Sequence, residues 1–331
     1  MKAMIIEQFG DSSVFIQSDV PKPELRPGHV LIRVEASSVN PVDYKVRRYQ
    51  PPFAPELPAI LHGDVAGVVE AVGDGVNEFK PGDAVYGCAG GVQGHGGALA
   101  DYMLADARLI AKKPSRLDFA AAAALPLVTI TAWEGLIDKA NVQAGQTVLI
   151  HGGTGGVGHV ALQLAKWRGA HVTATASTSE KLQMAKDLGA DEVVNYQDED
   201  VASDVNRYTN GKGFDLVFDS TGGANLPNSF EAARLNGTVV TPSSSQSYDL
   251  SIMHAKGLSL HVVFMLLPML KDVGRERHRA ILREVASLVD NGHLKPLIDP
   301  SKFNFAQVAQ AHDRLEQNKA VGKIVLTQSS R

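Results

Sequence analysis

The chain holds one cysteine, Cys88, in 331 residues. An internal disulfide is excluded, and so is any zinc site built on two or more thiolates. Aromatic residues are scarce at 6%, and neither sign of charge dominates, with 32 Lys and Arg against 36 Asp and Glu. No basic block stands out, so nucleic-acid binding lacks an electrostatic footing. Long apolar runs are also missing. The best candidate, LSLHVVFMLLPML at 258–270, is too short for a bilayer and contains His261 and Pro268. The opening MKAMIIEQFG reaches Glu7 and Gly10 too soon for a leader's apolar core. A soluble, cytoplasmic protein is expected, with neither nucleic acid nor membrane among its partners. There is no G-x-S-x-G elbow of a hydrolase, and no G-K-[ST] follows the glycine-rich loop as a Walker site would require.

What is present divides the chain by pattern. Up to about residue 113, AMIIEQFG, HVLIRVEASSV, DVAGVVEAVG and DAVYGCAG alternate with turns such as Pro27-Gly28 and Pro81-Gly82. These segments read as a compact β-barrel with few helices. From Asp118, a possible N-cap, LDFAAAAALPLVTITAWEGLIDKA predicts a helix. Strand and helix patterns then alternate: QTVLIHG, GGVGHVALQLAKWRG, AHVTATA, TSEKLQMAKDLG, DEVVNY, FDLVFDS and GTVVTP. That spacing predicts a parallel sheet covered on both faces, in a doubly wound domain. Beyond residue 291, FNFAQVAQAHDRLEQNK predicts an amphipathic helix and GKIVLTQ a last strand. Two elements cannot bury a core, so they are expected to return to the first domain. The expected division is 1–123, 124–291 and 292–331.

The segment HGGTGGVGHVALQLAKWRG carries the most chemistry. Gly153, Gly155 and Gly158 fit G-x-G-x-x-G, with Gly156 and Val157 inside the motif. The motif follows a strand and opens a helix, the context in which it cradles a pyrophosphate. The helix N-terminus offers unpaired N–H groups to an anion. A site selective for NAD ends its second strand with an acid. Here Ala176, Ser177 and Thr178 occupy that place and Lys181 follows. Hydroxyls and a lysine accept a 2′-phosphate that a carboxylate would repel, so NADPH is the expected cofactor. Tyr196, ending the third strand, either reaches the same phosphate or packs.

ASSVNPVDYKVR (36–47), HGDVAGVVEAVG (62–73), LPLVTITAW (125–133), the glycine motif, LGADEVVNY (188–196) and GKIVL (322–326) occur in one order and spacing. In this the chain resembles the medium-chain dehydrogenase/reductase superfamily, in its zinc-free quinone oxidoreductase branch. The resemblance spans essentially the whole chain. It implies an α/β protein with a GroES-like β-barrel catalytic domain and a Rossmann cofactor domain, assembling as a homodimer or a dimer of dimers. It also implies cofactor contacts at Thr131, at Ser220 and Thr221, at Pro242, Ser243 and Ser244, at Phe264, Met265 and Leu266, and at Lys323.

HGDVAGV raises the question of a metal, because His62 and Asp64 stand two residues apart. Metal-dependent members of the superfamily carry three catalytic ligands. The matching positions hold Asn40, Gly63 and Leu127, and His62 lies one residue too early. His62 and Asp64 alone leave fewer than three protein ligands. His62 is expected to shape the turn or border the pocket, and Asp64 to hydrogen-bond within the barrel. Without a Lewis acid the acceptor must be electrophilic in itself, a quinone or an alkene conjugated to a carbonyl. Asn40 is the first candidate for donating to the oxyanion that develops. Tyr44 and Tyr49 are nearby candidates for donation or stacking, or ordinary packing residues. His95, in VQGHGGALADY, faces either pocket or solvent. Tyr208 and Lys212 match the Y-x-x-x-K pair of short-chain dehydrogenases but span the turn signal Asn210-Gly211, and are read as coincidence. Two other readings stand beside a quinone or enone reductase: an enoyl-thioester reductase of the same branch, and a non-catalytic NADPH-binding sensor. Lys181→Ala is expected to weaken NADPH binding far more than NADH binding in fluorescence titrations; equal losses would remove the 2′-phosphate assignment.

Overall fold

The structure is a computed structural model that describes residues 1–198 and 200–328. The chain divides into two compact units. The first comprises Met1–Leu127, Leu266–Gly292 and the chain from Pro296 onward; the second comprises Val128–Met265 and His293–Lys295.

In the first unit the β-branched run His29–Ser38 forms the central strand. It pairs antiparallel with Asp64–Val72 on one side. On the other side it pairs with Tyr102–Asp106 and, at its far end, with Val325–Thr327, where Val325 lies opposite Ser38. Val30, Ile32, Val34 and Ala36 are buried, while Arg33 and Glu35 are only half-buried and pair with each other. This is the alternation of a strand with one face on a core. Ala84–Cys88 and Ile110–Lys112 extend the sheet, and a smaller sheet joins Phe15–Asp19, Lys2–Ile6 and Ala59–Ile60.

One α-helix, Pro41–Tyr49, interrupts the β-rich region immediately after the central strand. Pro41 suits the first helical position, where its missing N–H costs nothing. The Asn40 N–H donates to the Asp43 carboxylate at 2.7 Å, which fixes the entry. The continuous helix expected from Asp118 is divided. Asp118 does cap Phe119–Ala123, accepting from the Ala121 N–H at 2.7 Å, but Pro126 starts a separate helix, Pro126–Trp133. A proline cannot donate within a helix, so the first helix ends before it. Glu134–Lys139 then continue as a π-helical turn.

The boundary expected at residue 291 is also revised, because Leu266–Gly292 belong to the first unit. Helix Arg275–Asp290 buries Ile281, Leu282, Val285 and Leu288 there, and the Tyr86 hydroxyl donates to the Leu282 carbonyl at 2.6 Å. Of the helix expected over residues 303–319, Val308–Glu316 is α-helical, while Phe303–Asn304 form a short strand and Phe305–Gln307 a single 3-10 turn.

The second unit contains a six-stranded parallel sheet. Across it run Glu192–Asn195, His171–Ala176, Thr147–His151, Phe214–Asp219, Ala233–Thr241 and Ser259–Val262. The order reverses between the first strand in sequence, Thr147–His151, and the fourth, Phe214–Asp219. Ligands of a doubly wound sheet bind at the carboxyl ends of the strands at that reversal. The two inner strands Thr147–His151 and Phe214–Asp219 are buried over nearly all their length, with apolar residues at their centres, as a sheet covered on both faces demands. Tyr208 lies in helix Val201–Thr209, and Lys212 lies beyond the left-handed Asn210 that ends it, so the two do not share a helix face. Among the described residues no helix is long and apolar enough to cross a membrane.

Removing the Asp118 carboxylate leaves the Ala121 N–H without its acceptor. Asp118→Ala is expected to lower stability by about 1 kcal/mol in urea denaturation, while Asp118→Asn loses less, since its side-chain oxygen still accepts.

Candidate functional site

The second unit presents its predicted cofactor residues along the carboxyl edge of the sheet. Gly153 and Gly155–Val157 form the turn after Thr147–His151, and Gly158 opens helix Gly158–Trp167. A Cβ on Gly158 would lie 2.0 Å from the Gly152 carbonyl oxygen, and one on Gly153 would lie 2.8 Å from the Ala174 Cβ. Glycine is therefore the residue that closes this turn. No side chain caps the N-terminus of the helix. A bare backbone beside uncapped helical N–H groups fits a pyrophosphate.

Ser177 follows strand His171–Ala176. Lys181 is half-buried in the first turn of helix Ser179–Asp187, whose cap, Thr178, accepts from the Lys181 N–H. Tyr196 is 56% exposed, and its N–H donates to the Ala176 carbonyl at 3.3 Å. The sheet thus brings Ser177, Lys181 and Tyr196 to one corner. No carboxylate follows Ala176 until the exposed Glu180.

The remaining predicted contacts are engaged to different degrees. The Ser220 hydroxyl donates to the His151 carbonyl at 2.6 Å, and the Thr221 N–H to the buried Asp219 carboxylate at 3.0 Å. Pro242, Ser243 and Ser244 are half-buried after Ala233–Thr241. Phe264 is 46% exposed, whereas Thr131, Met265 and Leu266 are buried. One residue at this edge escaped the sequence reading. His151 is buried just before the glycine turn, and its Nε2 has no hydrogen-bond partner, while Nδ1 lies 3.4 Å from the Thr175 hydroxyl. Burial holds its pKa down, so it is a neutral ring at the carboxyl edge of the sheet. The only signal in the sequence was its place ahead of the glycines.

The first unit holds a cluster of buried polar groups around Asp64. One Asp64 oxygen accepts from the Ser38 hydroxyl and the Asn40 Nδ2–H, both at 2.7 Å; the other accepts from the Leu127 N–H at 2.8 Å. The Lys323 ammonium lies 3.5 Å away, donating to the Val39 carbonyl at 2.9 Å and to Asn40 Oδ1. Asn40, expected to meet the substrate, is fully buried with both amide groups turned inward. Lys323, expected near the cofactor, is 2% exposed and surrounded by these acceptors. Asp43 is buried beside them, and burial pushes its pKa up to about 7. Burial also pushes the Cys88 thiol up, so Cys88 is an inert core thiol. Of the two tyrosines, Tyr44 is half-buried and Tyr49 is 67% exposed at the last turn of the helix. Burial raises the Tyr44 pKa, with Glu316 adding to the rise, so its hydroxyl stays protonated at neutral pH.

His62 proves to be a turn residue with a partner of its own. Its φ is 73°, an uncommon conformation for a side chain of its size. Its Nδ1 lies 3.2 Å from the Ser37 hydroxyl, and its Nε2 lies 2.8 Å from the Nε2 of His312. The Ser37 hydroxyl donates to the Asp64 carbonyl at 2.7 Å, so it must accept from His62. His62 therefore carries its proton on Nδ1, and His312 donates from Nε2. Both rings are fully buried. Burial, with the Lys323 charge, holds His62 down to about 3, and burial likewise holds His312 well below its ordinary value. His95, also left open by the sequence, sits beside Arg275, with its Nε2 3.3 Å from a guanidinium nitrogen. Among the described residues no group of three or more His, Cys, Asp or Glu is placed to hold a metal.

A GroES-like barrel unit together with a doubly wound sheet and a glycine-lined turn defines a dinucleotide-dependent dehydrogenase or reductase. Residues 26–115 match the alcohol dehydrogenase GroES-like domain family, and residues 188–326 match the zinc-binding dehydrogenase family. The chain is 34% identical to a chloroplastic NADPH-dependent alkenal/one oxidoreductase of Arabidopsis thaliana, over 98% of this chain and 79% of that one. It is 31% identical to a quinone oxidoreductase of Homo sapiens, over 98% and 97%. In structure it matches an alcohol dehydrogenase superfamily protein of Novosphingobium aromaticivorans with a TM-score of 0.95, at 42% identity over 99% and 100% of the two chains. The chain belongs to the quinone oxidoreductase branch of the medium-chain dehydrogenase/reductase superfamily.

The histidine pair makes stability depend on pH. Between the ordinary histidine value, 6.5, and about 3, the unfolded chain binds protons that the folded chain does not. Stability is therefore complete above 6.5 and is lost as pH falls, at about 1.4 kcal/mol per pH unit for each such proton. Asp43 acts oppositely, losing stability as pH rises toward about 7. His312→Gln retains a donor for His62 and removes one titrating ring. Urea denaturation at neutral and acid pH is expected to show a shallower loss for this variant than for the wild type.

Proposed function

We propose that the chain is an NADPH-dependent oxidoreductase that passes hydride to a quinone or to an alkene conjugated to a carbonyl, without zinc. The observation that carries this reading is the residue set at the positions of the metal ligands in metal-dependent relatives. They hold an amide at Asn40, no side chain at Gly63 and an aliphatic group at Leu127. A buried ammonium, Lys323, stands against Asn40 and Asp64. Such a set repels a divalent cation and offers no thiolate or imidazole to bind one.

When bound, NADPH supplies the hydride. The glycine turn at 153–158 holds the pyrophosphate, His151 adds a neutral ring at the same edge, and Ser177, Lys181 and Tyr196 receive the 2′-phosphate. Thr131, Ser220, Thr221, the residues 242–244 and 264–266 border the rest of the cofactor. Tyr44 replaces Asn40 as the first candidate for donating to the oxyanion, because its hydroxyl is protonated and only half-buried. Such a donor matters most at the moment charge develops on the acceptor oxygen. A single buried cysteine supports a reducing, cytoplasmic setting. Ser259–Val262 is an edge strand with Val262 44% exposed, which supports a homodimer or dimer of dimers joined along that edge.

The test is NADPH oxidation with 9,10-phenanthrenequinone and with a simple enone, using protein dialysed against a chelator. Turnover that survives the chelator is expected. Turnover that is lost and returns with zinc would overturn the metal-free reading, and tight NADPH binding without turnover would favour a sensor. Tyr44→Phe is expected to lower kcat on the order of tenfold or more, with NADPH affinity unchanged.

A further inference from the structure

The positions that carry metal ligands in relatives converge here on one buried ion pair. Asn40 donates to one Asp64 oxygen at 2.7 Å, and the Leu127 N–H donates to the other at 2.8 Å. Gly63 directly precedes Asp64 and sends its own N–H to Asp43. Among these groups stands the Lys323 ammonium, with the Val39 carbonyl at 2.9 Å, Asn40 Oδ1 in hydrogen-bond contact and Asp64 at 3.5 Å. An ammonium has three N–H bonds, and here three oxygens surround it. The geometry points to Lys323 as a resident cation that takes the electrostatic place of the metal in metal-dependent relatives, acting by its charge and not by contact with the substrate, and fixing the orientation of Asn40 beside it.

Three physical reasons support this assignment. Burying an ammonium is unfavourable unless it is paired and hydrogen-bonded, and an apolar side chain such as methionine would fill similar space without that cost. The cation also decides which way Asn40 faces. Its oxygen must meet the ammonium and its nitrogen the carboxylate, so a flipped amide would set donor against donor and acceptor against acceptor. Finally, a charge held away from water acts over several ångströms with little screening. Lys323 and Asp64 polarise the Asn40 amide in the same sense, one drawing on its oxygen and the other on its N–H.

The inference rests on the reductase reading and is tested so that the two fail separately. Asp64→Asn combined with Lys323→Met removes both charges and nearly conserves volume. In the folded double variant kcat is expected to fall on the order of tenfold or more, with KM and NADPH affinity within about twofold of wild type. The protected side-chain amide resonances of Asn40 should shift or broaden in selectively labelled protein. A folded double variant with kcat within about twofold of wild type would overturn the assignment. If that variant does not fold, Lys323→Ala decides: saturable recovery of turnover by ethylammonium but not by ethanol supports the resident cation, and no recovery overturns it. Wild-type protein that oxidises no NADPH with either acceptor ends the reductase reading. The cation then stands or falls on the Lys323 Nζ resonance, where an ammonium signal at neutral pH supports it and an amine signal overturns it.

Discussion

A carboxylate taken out of water needs a full set of donors, and Asp64 imposes that demand at the centre of the first unit. Its partners come from five places in the chain: Ser38 at the end of the central strand, Asn40 at the start of a helix, Cys88 on the neighbouring strand, Leu127 in the first turn of a proline-initiated helix and Lys323 in the returning tail. Meeting the demand therefore ties the barrel to both of its later additions. Losing one partner leaves a buried group unsatisfied, which costs more than the bond itself contributes. The pairing of Val325–Thr327 with Ala36–Ser38 holds the tail in register, so Lys323 arrives where the carboxylate needs it.

The histidine pair extends the same logic outward. A carbonyl can only accept, and the Asp64 carbonyl takes the Ser37 proton. That single fact orients Ser37, His62 and His312 in turn and leaves two neutral rings in the core. Helix Val308–Glu316 is thereby joined to the turn that opens strand Asp64–Val72. The second unit obeys a different constraint. Its parallel strands must be covered on both faces, and the connections that cover them bring all six carboxyl ends to one edge. The glycine turn lies at that edge, where ligands of a doubly wound sheet bind.

Much of this is legible in the sequence. The alternation of strand and helix patterns after residue 146 repeats too regularly for another architecture, and the glycine spacing has a mechanical reason, visible in the 2.0 Å approach that a Cβ on Gly158 would make. Asn40, Asp64 and Lys323 were each singled out, but with the wrong neighbours: Asn40 toward substrate, Lys323 toward cofactor. His151 and His312 drew no notice as site residues. A histidine in a polar helix looks the same in sequence whether it faces solvent or the core.

The sequence by itself determined the class of fold, because that depends on local residue types at fixed spacing, and it pointed to the glycine turn as the expected place of the cofactor. It also located the cap at Asp118, but not the break that Pro126 makes. Only the tertiary structure decided that Asn40 is turned inward, that Lys323 faces Asp64 and that His62 pairs with His312. Those contacts join residues more than 200 positions apart in the chain, and hydrogen bonding in a buried site depends on which groups face each other after the chain has folded. No local pattern encodes that choice.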